Sequence, residues 1–109
     1  MTGGLDSVMS AISDPTRRAI LSRLARGPAR VTEVAGRFPM SLPAVSKHVK
    51  VLERAGLVRR ARKGREHILE LRAAPLREVA RWASHYERFW SGRLDRLETF
   101  FATHKEKPR

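Results

Sequence analysis

The chain contains no cysteine, which excludes disulfides, thiolate metal sites, cysteine nucleophiles and redox sensing together. Acids are scarce: 11 Asp and Glu stand against 23 Lys and Arg, for a formal net charge of +12 and a sequence pI near 11.6. Such a balance calls for a polyanionic partner, with nucleic acid ahead of an anionic membrane surface. No run approaches the roughly 18 apolar residues of a membrane span. The opening MTGGLDSVMS has neither the basic n-region nor the apolar h-region of a signal peptide. The reading is therefore of a cytoplasmic protein, nucleoid-associated when bound to DNA, with no membrane partner. No phosphate loop, nucleophile-base-orienter set or pair of acids stands at a catalytic spacing, so neither an enzyme nor a cofactor is expected. At 109 residues there is room for one core, which predicts a single domain over 1–104 and a frayed basic tail over 105–109.

The cations are unevenly placed: residues 1–75 carry 15 of the 23 Lys and Arg. Within that stretch the punctuation is helical. Leu5, Val8, Met9 and Ile12 space a short first helix. Asp14-Pro15 then caps and starts a second, whose apolar side is Ile20, Leu21 and Leu24 and whose end is Gly27-Pro28. Val31, Val34, Ala35 and Phe38 give a short third helix capped by Thr32. Ser41 is the N-cap of a fourth, running to Ala55 with Gly56 as C-cap. On a helical wheel Val45, Val49 and Leu52 fall on one side, and Pro43, Ser46, Lys47, Lys50 and Arg54 on the other. Two helices joined by the short FPMS turn, the second with a basic outer face, make a helix-turn-helix whose second helix reads DNA.

Beyond Gly56 the period changes from helical to alternating, with Lys63-Gly64 as the hairpin turn. The result is a two-stranded wing over 58–71 carrying Arg59, Arg60, Arg62, Lys63 and Arg65. Edge protection needs one or two charges, not five, so these cations are assigned to phosphate and shape reading. From Pro75 a long helix carries an apolar stripe of Leu76, Val79, Ala83, Tyr86, Trp90, Leu94, Leu97 and Phe101 at steps of three and four. A domain this small cannot cover so long a stripe alone. Val79, Ala83, Tyr86, Trp90, Leu94, Leu97 and Phe101, joined by Leu5, Met9 and Ile12 of the first helix, are therefore expected to face a second copy. Trp82, Tyr86 and Trp90 follow the helix period, which suits this stripe better than a ligand cage.

The run Ser41-Leu42-Pro43-Ala44-Val45-Ser46-Lys47-His48-Val49-Lys50-Val51-Leu52-Glu53-Arg54-Ala55-Gly56-Leu57-Val58 closely resembles the recognition-helix signature of the ArsR/SmtB winged-helix repressors. DPTRRAILSRLARGP resembles that family's second helix, and the aromatic last helix is most similar to the SdpR-like branch. The resemblance implies a mainly α winged helix-turn-helix with a small β-hairpin wing and five helices, the last a long dimerisation helix. It also implies a homodimer on a pseudo-palindromic double-stranded DNA operator, with helix 41–55 in the major groove and the wing on minor groove and backbone. The residues assigned to DNA are Ser41, Pro43, Ser46, Lys47, His48, Lys50 and Arg54, together with the five wing cations. His48 belongs to the family motif, yet the wheel puts it toward the packed flank, so packing and a phosphate hydrogen bond both stay open. Arg17 and Arg18 are open between phosphate and solvent.

Relatives with metal sites use cysteines absent here, or an Asp-x-His pair with a later histidine partner on the last helix. This chain has Ala83-Ser84-His85 at the first position and Lys107 three residues after His104, so no metal is expected. Release from DNA is left to an unidentified small-molecule or protein effector. Two other functions are weighed: a sequence-tolerant nucleoid-type DNA protein driven by charge alone, and a protein-interaction module using the aromatic last helix.

Overall fold

The computed structural model describes residues 4–105, apart from the side chains of Phe89, Trp90, Ser91, Leu94, His104 and Lys105. The elements run α1 (Gly4–Ala11), α2 (Pro15–Leu24), β1 (Ala29–Arg30), α3 (Val31–Ala35), α4 (Leu42–Arg54), β2 (Val58–Lys63), β3 (Glu66–Leu71) and α5 (Ala74–Lys105). This is the expected winged helix-turn-helix of five helices, with one more strand than expected.

Local chemistry sets most boundaries. The Asp14 carboxylate accepts the Arg17 backbone N–H at 3.0 Å, and Pro15 occupies the first turn of α2. α2 then ends at Leu24, capped by Ala25, before the predicted stop at Gly27-Pro28. α3 starts a residue ahead of Thr32: the Glu33 carboxylate, not the Thr32 hydroxyl, closes its N-terminus by accepting the Arg30 backbone N–H at 2.9 Å. The Ser41 hydroxyl accepts the Ala44 N–H at 3.2 Å and starts α4 as expected. α4 stops at Arg54 with Ala55 as its cap. Gly56, at φ +78°, donates to Glu53 O at 3.0 Å and Leu57 to Leu52 O at 2.9 Å, so the glycine expected as the cap lies one position beyond the observed cap.

β1, β3 and β2 form an antiparallel sheet in that order, with Ala29 opposite Leu69, Arg60 also opposite Leu69, and Lys63 opposite Glu66. The wing is thus anchored by a third strand. Two residues squeezed between Pro28 and α3 are too few to show an alternating pattern, which is why β1 escapes a periodicity reading. The hairpin turn is Gly64-Arg65 rather than Lys63-Gly64. Gly64 has φ +63° and Arg65 no positive φ, the arrangement of a turn with glycine at its first central position.

The core joins Val8 and Ala11 of α1, Ile20, Leu21 and Leu24 of α2, Val34 of α3, Val45, Val49 and Leu52 of α4, and Leu57, Val58 and Leu69 around the sheet. Leu76 and Val79, at the start of α5, pack against it, as does Ile12. The chain divides into one compact unit ending at Val79 and another beginning at Ala80. The second is the remainder of α5. The expected tail falls largely outside the described residues, except for Lys105, the last residue of α5.

Candidate nucleic-acid interface

The three fully buried residues Val45, Val49 and Leu52 fix the rotation of α4, and that rotation leaves Pro43, Lys47, Lys50 and Arg54 exposed with Ser46 half-buried beside them. A lysine there can address guanine O6 and N7 or a phosphate, and a serine hydroxyl pairs with several base edges. The exposed Ser41 uses its hydroxyl oxygen for the cap, so its proton is still available to donate.

His48 is turned elsewhere. Its Nδ1 lies 3.2 Å from Arg17 Nη1 and 3.9 Å from Asp14 Oδ2, in a half-buried joint between α4 and the start of α2. A guanidinium only donates, so a hydrogen bond between the two needs Nδ1 as its acceptor. The same Arg17 donates through Nε to Ala11 O at 2.6 Å and through Nη2 to Ser10 O at 3.2 Å, while Arg18 donates to Ile12 O at 2.8 Å. Both arginines thereby satisfy carbonyls at the C-terminal end of α1. Asp14 is held below the ordinary aspartate range, chiefly because its carboxylate accepts the Arg17 backbone N–H.

On the wing, strand alternation sorts the cations. Arg60, opposite the buried Leu69, meets Glu53 of α4: its Nη2 donates to Oε1 at 2.9 Å and its Nε to Oε2 at 3.2 Å. Arg59, on the other side of the strand, lies 4.0 Å from Glu70. Arg62 donates to Gly64 O at 3.1 Å, and Arg62, Lys63 and Arg65 are all exposed. Arg30, which periodicity passes over, links α3 to the turn end of the wing: it pairs with Glu66, the first residue of β3, at 2.7 Å and with Glu33 at 3.3 Å. The Glu33 carboxyl is held below its usual value by the Arg30 backbone N–H and then by the Arg30 side chain. Between the first turns of α4 and the wing opens a cleft of about 340 Å³, with Leu42, Ser46, Arg60, Arg65 and His67 on its walls.

Of the residues expected to face a second copy, Leu5, Met9 and Ile12 are half-buried in the first unit, and Ile12 and Val79 pack on its core. On the second unit Ala83, Tyr86, Leu97 and Phe101 are exposed, as are Trp82 and Phe100 beside them. Trp90 and Leu94 fall among the side chains outside the described set. Among the described residues, no group of three or more His, Asp or Glu side chains is gathered for a metal ion, and no helix is long and apolar enough to cross a membrane.

A family described as a helix-turn-helix domain matches residues 12–61, from the end of α1 into β2. The chain is 42% identical over 89 residues to the HTH-type transcriptional regulator Rv2034 of Mycobacterium tuberculosis, an alignment spanning 82% of this chain and 80% of the relative. It is 33% identical over 82 residues to the transcriptional repressor SdpR of Bacillus subtilis, spanning 75% of this chain and 91% of that one. Among solved structures, the crystal structure of an ArsR family transcriptional regulator superposes with a TM-score of 0.75 at 39% identity, covering 80% of this chain and 90% of the other.

Proposed function

This chain belongs to the ArsR family of winged helix-turn-helix transcriptional regulators, and from that premise we propose that it is a homodimeric repressor of a pseudo-palindromic operator. α4 enters the major groove, where Ser46, Lys47, Lys50 and Arg54 meet base edges and phosphates. The wing lies over the minor groove and backbone, where Arg59, Arg62, Lys63 and Arg65 supply affinity that does not depend on sequence. The observation that carries this reading is the division of α4 into a fully buried apolar side and an exposed basic side, directly beside a cationic hairpin.

Dimerisation is supported by α5, where Tyr86, Leu97 and Phe101 are 44%, 50% and 61% exposed. Large apolar side chains recurring along one helix seek cover. Similarity to a transcriptional repressor favours repression as the sign of regulation. The donor set does not suit the metal sites of relatives, because the cysteines are absent and Ala83 stands where an aspartate would precede His85. A small molecule or a protein is therefore the class of effector proposed.

Mapping bound DNA across a genome, followed by footprinting, tests the reading. It predicts a short inverted repeat whose half-sites are centred about one helical turn, roughly 10 bp, or a multiple of it apart. Binding spread evenly without a repeated motif would instead favour the nucleoid-type protein.

A further inference from the structure

We propose that Arg60 and Glu53 form a positioning pair that sets the wing against the recognition helix, and that Arg60 does not contact DNA. The inference rests on the DNA-binding reading, but it reverses what the sequence suggests for this arginine.

Strand register comes first. Arg60 lies opposite Leu69, which is fully buried, so its side chain leaves β2 toward the body of the domain; Arg59 lies opposite Glu70 and leaves the other way. The second observation is the fork. Two donors of one guanidinium meet the two oxygens of one carboxylate at 2.9 and 3.2 Å, a geometry that fixes both planes and not just a distance. The third is burial: the Arg60 and Glu53 side chains are 26% and 28% exposed, against 60% for Arg59. For Arg60 to turn to a phosphate, Glu53 would have to stay behind half-buried and unpaired, which is costly for a charged group.

Connectivity completes the case. Glu53 stands in the last turn of α4 and Arg60 in the first half of β2, with only the glycine-capped turn at 55–57 between them. The pair therefore closes a short loop over the one covalent hinge between the two DNA-facing elements. A wing already held at its working angle need not be ordered at the moment of binding, and avoiding that cost strengthens association without adding a contact. The wing cations left for phosphate are Arg59, Arg62, Lys63 and Arg65.

The test compares Arg60→Ala, Glu53→Gln, their combination, Arg60→Lys and Arg62→Ala for duplex affinity over a salt series, with thermal melts confirming that each variant folds. The positioning pair predicts that Arg60→Ala and Glu53→Gln each weaken binding by about tenfold, that the double variant is no worse than either, and that Arg60→Lys, which keeps the charge but loses the fork, is also weakened. The slope of log K against log salt stays at the parent value for these variants, whereas Arg62→Ala reduces it by about 0.9. Tighter or unchanged binding by Glu53→Gln would overturn the proposal, because freeing Arg60 would then help or do nothing. A slope reduced by Arg60→Ala alone would overturn it too. Should the double variant fold poorly, exchanging the charges as Glu53→Arg with Arg60→Glu separates the cases: recovery of affinity supports the pair, and further loss contradicts it. The series reads equally well on random duplex, so a protein without operator preference would defeat the repressor reading while the salt slopes still decided whether Arg60 touches phosphate.

Discussion

Arg17 is a cation of a basic chain committed to the fold. It ties the end of α1 to α4 through two carbonyls and the His48 ring. Arg17→Ala should therefore lower stability by about 1–3 kcal/mol in a denaturant titration, since charged donors and the carbonyls left behind set that scale. Asp14 makes a second prediction. Its folded pKa lies below the ordinary 3.8, so the folded chain favours the carboxylate; that contribution is complete well above pH 3.8 and is lost as the pH falls through the folded value. Glu33 behaves likewise below its ordinary 4.5. Acid titration by circular dichroism should show stability falling below about pH 4.5, with the lower part of the fall reduced in Asp14→Asn. The caps at Asp14 and Ser41 are legible in the sequence because a cap spans three residues. The Arg17–His48 contact spans 31 and needs the packing of α2 on α4 before it can be seen.

Among elements, the proposed docking divides labour between the recognition helix and the wing. Lys47 is exposed on α4, and in the proposed docking it meets base edges, so Lys47→Ala should erode preference for the operator over random duplex, with each lost base contact lowering discrimination by about 1–3 kcal/mol. Arg62→Ala should weaken both duplexes alike and flatten the salt dependence; competition binding at several salt concentrations distinguishes them. The face of α4 is readable because a 3.6-residue period with three buried positions leaves one orientation. β1 is not, since its two residues carry no period and its pairing with β3 bridges almost forty positions. The hairpin itself is visible from alternation, but its turn is not, because glycine can serve at either central position. The surroundings of Arg60 escape the sequence for a related reason: a run of arginines does not say which of them has a carboxylate waiting on a neighbouring helix.

At the scale of the molecule, the surplus of positive charge is evident from composition, and it drives association with any duplex. Specificity requires two recognition helices held at a fixed spacing, which brings in the apolar stripe of α5. Leu97→Ala should weaken self-association by on the order of tenfold in sedimentation experiments and carry operator binding down with it. An unchanged dimer constant would remove Leu97 from the interface. The stripe is legible as a period in the sequence, whereas every described side chain from Ala80 to Thr103 is exposed, so exposure does not single the stripe out.

The most direct measurement is the ratio of affinities for the mapped operator and for a random duplex of the same length, taken at equal salt. A repressor built as described should prefer its operator by about 10³-fold or more. A ratio near one would mean that charge alone holds the chain on DNA, and would contradict base reading by α4.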